Sequence, residues 1–326
     1  MPQRPLMCPP PAAAAASRCA AALRRGLALA LLALLGLPLA AGAALREVQL
    51  QVPVRVESGQ GTAVQRTEVV TVFDDDANPH PAPLAVLSHG RATTAASRAQ
   101  LGRARLARAA RWLTAHGFIV AVPTRIGYGA TGGPDLEGSG RCDARNYPPA
   151  FGAAAQQVLQ VAAALQQRPG VAPDRWLLLG QSFGGATTLA AAAQRPAGLV
   201  AAINFSGGGG GDPVHHPDAP CSPERMADLF AVWGAQVQVP TLWLYTENDH
   251  FFGSAWPLRW HQRFVSAGGQ AQWVQFGPHG EDGHHLFHRY PDVWAPVVAG
   301  FLAAQGFPAL RAAPMAPARK ADRAPS

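Results

Sequence analysis

The stretch Leu177-Leu178-Leu179-Gly180-Gln181-Ser182-Phe183-Gly184-Gly185-Ala186 decides the fold. Three consecutive leucines, preceded by Trp176, read as a short strand buried on both faces. From Gly184 to Gln194 small residues predominate, as a closely packed helix requires. Between strand and helix, Gly-x-Ser-x-Gly forms a sharp turn. A serine exposed at such a turn needs minimal side chains two residues before and after it, and Gly180 and Gly184 supply them. The helix N-terminus behind the serine favours negative charge developing there. The five-residue pattern alone is common, and an ordinary glycine-rich turn is the competing reading. Its placement between an apolar strand and a helix makes Ser182 a candidate nucleophile.

Working outward, the same alternation of short apolar strands and helices recurs. Upstream, Val48 to Val56 alternates with period two, Ser58 to Gly61 is a turn, and Val64 to Phe73 is a second strand. This predicts an antiparallel pair. After a polar loop over 74–83, strands are expected at Leu84 to Leu87 and Phe118 to Val122. Helices are expected over Arg98 to Ala115 and Phe151 to Gln167, the latter stopped by Pro169-Gly170. Downstream lie strands Leu199 to Phe205, Leu242 to Tyr245 and Gln272 to Phe276. Trp256 to Ala267 reads as a helix. Pro291 to Ala304 reads as a closing helix, with Pro291 in its first turn and Pro296 as a kink. Strands apolar on both faces, separated by helices, specify an α/β domain. Its sheet is mostly parallel with an antiparallel N-terminal edge, covered by helices on both faces, and no large cap domain is visible.

The ends differ from the middle. Arg18, Arg24 and Arg25 flank an apolar run from Leu27 to Leu37, followed by Pro38 and the small residues Ala41-Gly42-Ala43. Residues 1–43 therefore read as a signal peptide, with an uncleaved anchor as the competing reading. The Ala/Pro/Arg-rich tail 308–326 reads as disordered. Of 27 basic and 20 acidic side chains, eight basic and one acidic lie in these two ends, so residues 44–307 balance at nineteen each. A balanced domain argues against nucleic-acid binding, which needs a basic surface. Export to the periplasm or medium is expected, with membrane contact only through the signal peptide. Cys142 and Cys221 remain in the domain, and an oxidising compartment favours their pairing over two unpaired thiols.

If Ser182 is a nucleophile, an acid must follow a later strand, a histidine the last strand, and a backbone donor an early one. Asp249, just beyond the strand ending at Tyr245, is the candidate acid, and Glu247 is its rival. His284 is the candidate base, because it follows Gly283 and precedes an apolar stretch; His285 and His279 compete. Ser88-His89-Gly90-Arg91 is the candidate oxyanion loop, with the backbone N–H groups of Phe183 and Arg91 as donors beside Gly90. Arg125 and Tyr128 are candidates for the substrate mouth, where either would meet a substrate carboxylate; a surface salt bridge is the competing reading. Ser206 to Cys221 reads as lid material, with Gly207 to Gly211 mobile. His279, Glu281, Asp282, His284, His285 and His288 crowd one loop and His215-His216 another. Their spacing matches no usual zinc motif, and neither metal nor cofactor is expected.

Gly180-Gln181-Ser182-Phe183-Gly184-Gly185, Leu87-Ser88-His89-Gly90, Pro123-Thr124-Arg125-Ile126-Gly127-Tyr128-Gly129 and Gly280-Glu281-Asp282-Gly283-His284 together resemble exported dienelactone-hydrolase-like members of the α/β-hydrolase superfamily. The resemblance spans about residues 46–305. It implies the α/β-hydrolase fold and carries the triad onto Ser182, Asp249 and His284. Dienelactone hydrolases use a cysteine nucleophile, so Ser182 points to a small-molecule ester or lactone substrate more broadly. A serine peptidase of the prolyl-oligopeptidase type shares the order Ser, Asp, His and is one alternative. A non-catalytic or metal-binding protein of this fold is another.

Overall fold

The computed structural model describes residues 45–57 and 61–307. The signal-peptide and tail expectations fall outside them. Eight strands form one sheet in the order β1-β2-β4-β3-β5-β6-β7-β8. They are β1 (Leu45–Glu57), β2 (Ala63–Asp75), β3 (Ala82–Ser88), β4 (Ile119–Thr124), β5 (Val171–Gln181), β6 (Leu199–Phe205), β7 (Thr241–Thr246) and β8 (Ala271–Phe276). β1 pairs antiparallel with β2, and β2 with β4. From β4 to β8 every pairing is parallel. The helices are α1 (Ala95–Ala99), α2 (Ala107–Ala115), α3 (Tyr147–Gln166), α4 (Phe183–Ala192), α5 (Pro223–Gly234), α6 (Ala255–Ser266), α7 (Leu286–Arg289) and α8 (Pro291–Ala304).

Two cores lie on opposite faces of the sheet. One gathers α3, α4, α5 and α6 around Phe151, Trp233, Trp243 and Trp260. The other gathers α2 and α8 around Leu113, Phe205, Phe287 and Trp294. Central strands carry apolar side chains on both faces because both faces are covered. β1, at the edge, follows the alternation read from sequence. Val52, Val54 and Val56 are buried, whereas Val48 is exposed. Part of its open backbone is also satisfied. Gln160 of α3 accepts from Arg55 N–H at 2.9 Å and donates to Arg55 C=O at 2.7 Å, and Gln156 accepts from Glu57 N–H at 2.9 Å. Such capping removes an edge on which another strand would pair.

Three expectations need correction. The single helix over Arg98 to Ala115 is two helices, because the residues between them spend their backbone groups elsewhere. Gly102 C=O accepts from Ala130 N–H at 2.8 Å, Ala104 N–H donates to Thr124 Oγ1 at 2.9 Å, and Ala104 C=O accepts from Thr71 Oγ1 at 2.6 Å. Gly102 and Leu106 take positive φ there, and Leu101 is exposed. Helix α5 has no counterpart in the sequence reading, although Met226, Leu229, Phe230 and Trp233 recur at helical spacing and are buried. Finally, the glycines over 207–211 form a packed wall rather than a mobile loop. Gly207, Gly208 and Gly209 are buried, and a Cβ on Gly208 would press on Trp260 and Phe252.

A disulfide joins Cys142 to Cys221, 79 residues apart in sequence. It ties the approach to α3 to the segment entering α5. Ser222 Oγ bridges the same junction, donating to Cys142 C=O at 2.7 Å and accepting from Arg145 N–H at 3.1 Å. Closing so long a loop restricts the unfolded chain. The paired Cys142→Ala/Cys221→Ala variant is expected to lose about 2–4 kcal/mol of stability. A urea titration should show a lower midpoint.

Candidate active site

The chain steps from β3 outward to β4 and then back across to β5, so the strand order reverses between β3 and β5. Crevices at such a reversal, at the C-terminal strand ends, are where this sheet class binds ligands. Ser88 pairs with Gly180 in that register, which brings the Ser88-His89-Gly90 loop beside Ser182. Contact is direct at two glycines. A Cβ on Gly184 would collide with the carbonyl oxygens of Ser88 and His89, and one on Gly90 would lie 3.3 Å from Ser182 Cβ.

Ser182 has φ 58° and ψ −127°, a conformation that costs a non-glycine residue about 1–3 kcal/mol. Its backbone is held on both sides. Ser182 N–H donates to Phe205 C=O at 2.9 Å, and Ser182 C=O accepts from Gly185 at 2.8 Å and from Ala186 and Gly208 at 3.2 Å. Helix α4 starts at the next residue. The backbone N–H groups of Phe183 and Arg91 bond no described residue, and both residues line the pocket that holds Ser182.

Asp249 lies past β7 and is fully buried. Its Oδ1 accepts from Phe251 N–H at 2.9 Å and Phe252 N–H at 3.1 Å, while Oδ2 lies 2.9 Å from His284 Nδ1. A carboxylate fixed by two amides presents its other oxygen to the imidazole. The Nδ1 proton is thereby held, leaving Nε2 as the acceptor. His284 is buried, with Phe251 stacked on it at 4.0 Å. Asp282 Oδ1 secures its loop by accepting from His284 N–H at 2.9 Å and His250 N–H at 3.1 Å. Gln181, the residue before Ser182, donates to His284 C=O at 3.1 Å. The rivals face elsewhere. Glu247 is exposed, and His279 Nδ1 contacts Gly277 C=O at 2.8 Å. His285 lies 4.0 Å from Asp282. His288 contacts Gln181 Oε1 at 3.3 Å, and burial pushes its imidazole down to about 4. No three His, Cys, Asp or Glu side chains converge as metal ligands among the described residues.

Arg125 and Tyr128 are not at the mouth. Both are buried, Arg125 completely. The Arg125 fork grips Glu137 through Nε at 2.5 Å and Nη2 at 3.3 Å. Its Nη1 donates to Ser88 Oγ at 2.9 Å and His89 C=O at 2.8 Å. Tyr128 donates to Glu137 Oε2 at 2.5 Å. Four hydrogen bonds to acceptors inside the protein, together with complete burial, leave the guanidinium no face for a substrate. Removing one partner of such a pair costs about 3–5 kcal/mol, because the other charge is left buried alone.

The pocket contains residues the sequence reading did not single out. A cleft of about 120 Å3 is lined by Ser182, Arg91, Arg145, Tyr147, Gly209 and Phe251, among others. Arg91 is neutralised by Asp135 at 2.7 Å. Arg145 donates to Gly140 C=O at 2.5 Å, has no carboxylate partner among the described residues, and its buried Nε bonds nothing there. It lies two residues before α3, outside any periodic run, and the Cys142–Cys221 disulfide and Ser222 tie its segment in place.

This sheet, with its strand-turn-helix serine and later acid and histidine loops, is the α/β-hydrolase fold. Neither protein-family models nor curated proteins match the sequence. Solved structures match the fold. A candidate dienelactone hydrolase of Klebsiella pneumoniae superposes with a TM-score of 0.52 at 19% identity, over 79% of this chain and 99% of that one. An esterase of Pyrococcus furiosus gives 0.51 at 11%, over 81% and 92%. An acylaminoacyl peptidase of Pyrococcus horikoshii gives 0.53 at 14%, over 78% of this chain but only 41% of that one.

One buried acid stands apart. Glu68 on β2 is fully buried, and among the described residues neither carboxyl oxygen has a side-chain hydrogen-bond partner. Burial pushes it up to about 8, with Arg125 opposing and Glu137 adding to the shift. A raised folded value means the unfolded chain releases this proton first. Glu68's contribution is complete below the ordinary carboxylate range and is lost as pH climbs toward 8. Glu68→Gln should therefore gain thermal stability relative to wild type as pH rises from 5 to 8.5. Melting curves across that range check it; a gap that does not widen contradicts the assignment.

Proposed function

We propose that the protein is an exported serine hydrolase that cleaves carboxylic esters or lactones through an acyl-enzyme on Ser182. The observation that carries this reading is the buried Asp249–His284 pair, 2.9 Å apart, tied through Gln181 to the strained turn that presents Ser182. His284 Nε2 takes the Ser182 proton as Oγ attacks the carbonyl carbon. Asp249 stabilises the resulting imidazolium. The Phe183 and Arg91 N–H groups receive the oxyanion, and collapse expels the alcohol, protonated by His284. Water, deprotonated by His284, then releases the acid and restores Ser182. The esterase and dienelactone hydrolase neighbours agree with ester chemistry, and the disulfide agrees with an oxidising compartment.

The acylaminoacyl peptidase neighbour favours a second reading, amide cleavage. Matched ester and amide substrates separate the two, and comparable amide rates would sink the esterase reading. Wild type should label with a fluorophosphonate, and Ser182→Ala should not. Asp249→Asn should lower kcat by about 10⁴, since the amide favours the wrong imidazole tautomer.

The carboxylate-recognition role first expected of Arg125 passes to Arg145, the pocket cation without an acidic partner. Esters bearing a carboxylate in the acyl part should be preferred over neutral analogues. Arg145→Ala should erase that preference in kcat/KM while leaving neutral esters within about threefold, since one charged hydrogen bond is worth about 1.5–3 kcal/mol.

A further inference from the structure

We propose that Arg125 and His89 are positioning residues that set the oxyanion loop from beneath, so that the buried Arg125–Glu137 pair acts on catalysis without touching substrate. The proposal rests on the reading of Ser182 as nucleophile.

Three consecutive residues of the loop are held. Arg125 Nη1 reaches Ser88 Oγ at 2.9 Å and His89 C=O at 2.8 Å. The Arg125 backbone N–H donates to His89 Nε2 at 3.3 Å. With Nε2 accepting, the ring proton sits on Nδ1, which lies 2.7 Å from Gly90 C=O and donates to it. Burial, with Arg125 alongside, holds the His89 imidazole well below its ordinary range, so the ring stays neutral and keeps this tautomer. Tyr128 packs edge-on against it at 4.6 Å. Directing the carbonyls of His89 and Gly90 into these bonds fixes the peptide planes on either side of Gly90. The next amide in the chain is Arg91, the candidate donor.

The loop in turn has no freedom relative to the nucleophile. Gly184 of α4 packs its Cα against the carbonyl oxygens of Ser88 and His89, and Gly90 packs beside Ser182. Glu137 closes the assembly from the other side. It receives Arg125 and Tyr128, and Arg91 Nη1 stands 3.6 Å from its Oε2. A single buried pair thus acts on the Arg91 backbone through His89 and Gly90, and stands beside the Arg91 side chain. A hole preorganised in this way stabilises the transition state far more than the bound substrate.

The test compares Arg125→Lys, the charge-removing pair Arg125→Met/Glu137→Met, His89→Asn and His89→Leu with wild type on a short-chain ester. A boronic acid serves as mimic of the tetrahedral oxyanion, and circular dichroism monitors folding. The Met pair and His89→Leu are expected to lose about 10–100-fold in kcat, the scale of a donor displaced by an ångström. KM should change less than threefold, and boronate affinity should fall in parallel with kcat. His89→Asn keeps a donor for Gly90 C=O and should recover most of the activity lost in His89→Leu. Arg125→Lys, with one donor in place of the fork, should lie between wild type and the Met pair. A folded Met pair with wild-type kcat, or His89→Asn and His89→Leu equal in kcat and boronate affinity, overturns the proposal. Wild type that fails to label with fluorophosphonate overturns the reading of Ser182 instead.

Discussion

The close approach of helix α4 to the end of β3 is the constraint on which the site depends. At Gly184 the helix backbone rests on the carbonyl oxygens of Ser88 and His89 with no room for a Cβ. That contact exists because β3 and β5 are parallel neighbours in a register that sets Ser88 opposite Gly180. Gly180 is under the same restriction, since a Cβ there would strike the Gly184 carbonyl. Gly180 is thus required by the turn itself, and Gly184 by the packing of α4 on the loop after β3. The strain at Ser182 is tolerated because its neighbours are fixed from β6, from α4 and from Gly208.

Charge burial follows from the same geometry. A loop held this tightly against a serine must satisfy its own carbonyl groups, and β4 delivers Arg125 beneath it. Isolated, a fully buried guanidinium would be prohibitive. Glu137 and Tyr128 make it tolerable, and they come from the segment between β4 and α3 that also carries Asp135, partner of Arg91 and Arg98. Glu68 is the surplus acid of this group. Complete burial lets it keep its proton into the neutral range.

The sequence made the sheet legible because its signals are local. Leucine and valine runs mark strands covered on both faces, and Gly180 and Gly184 mark the turn. The candidate acid Asp249 and candidate base His284 each lie in a loop beyond a strand, which is also a local signal. What stayed hidden depends on contacts between distant residues. Arg125 looks like a surface cation until Glu137, twelve residues on, is seen folded back onto it. The break in the helix expected over Arg98 to Ala115 needs Thr71, Thr124 and Ala130 as partners. That His284, of four histidines in one loop, is the one beside Asp249 depends on how Asp282, Gln181 and Phe251 hold that loop. Helix α5, by contrast, was missed although its signal is local: Met226, Leu229, Phe230 and Trp233 recur at the helical period, and Pro223 suits its first turn.

The two loops that carry polarity into the cleft are fastened differently, and the difference bears on their roles. Ser88 to Gly90 is held by buried hydrogen bonds to Arg125 of a charged pair, which fix its orientation. The segment bearing Arg145 is held by a covalent tie to Cys221, by Ser222 and by the Tyr147 hydroxyl on the Cys221 carbonyl. Those ties set where the segment sits, while the Arg145 guanidinium has no carboxylate to hold it among the described residues. Charge that must meet a transition state at one point needs the first kind of support. Charge that only recognises a substrate group tolerates the second, because a long side chain adjusts to its ligand after the segment has been placed.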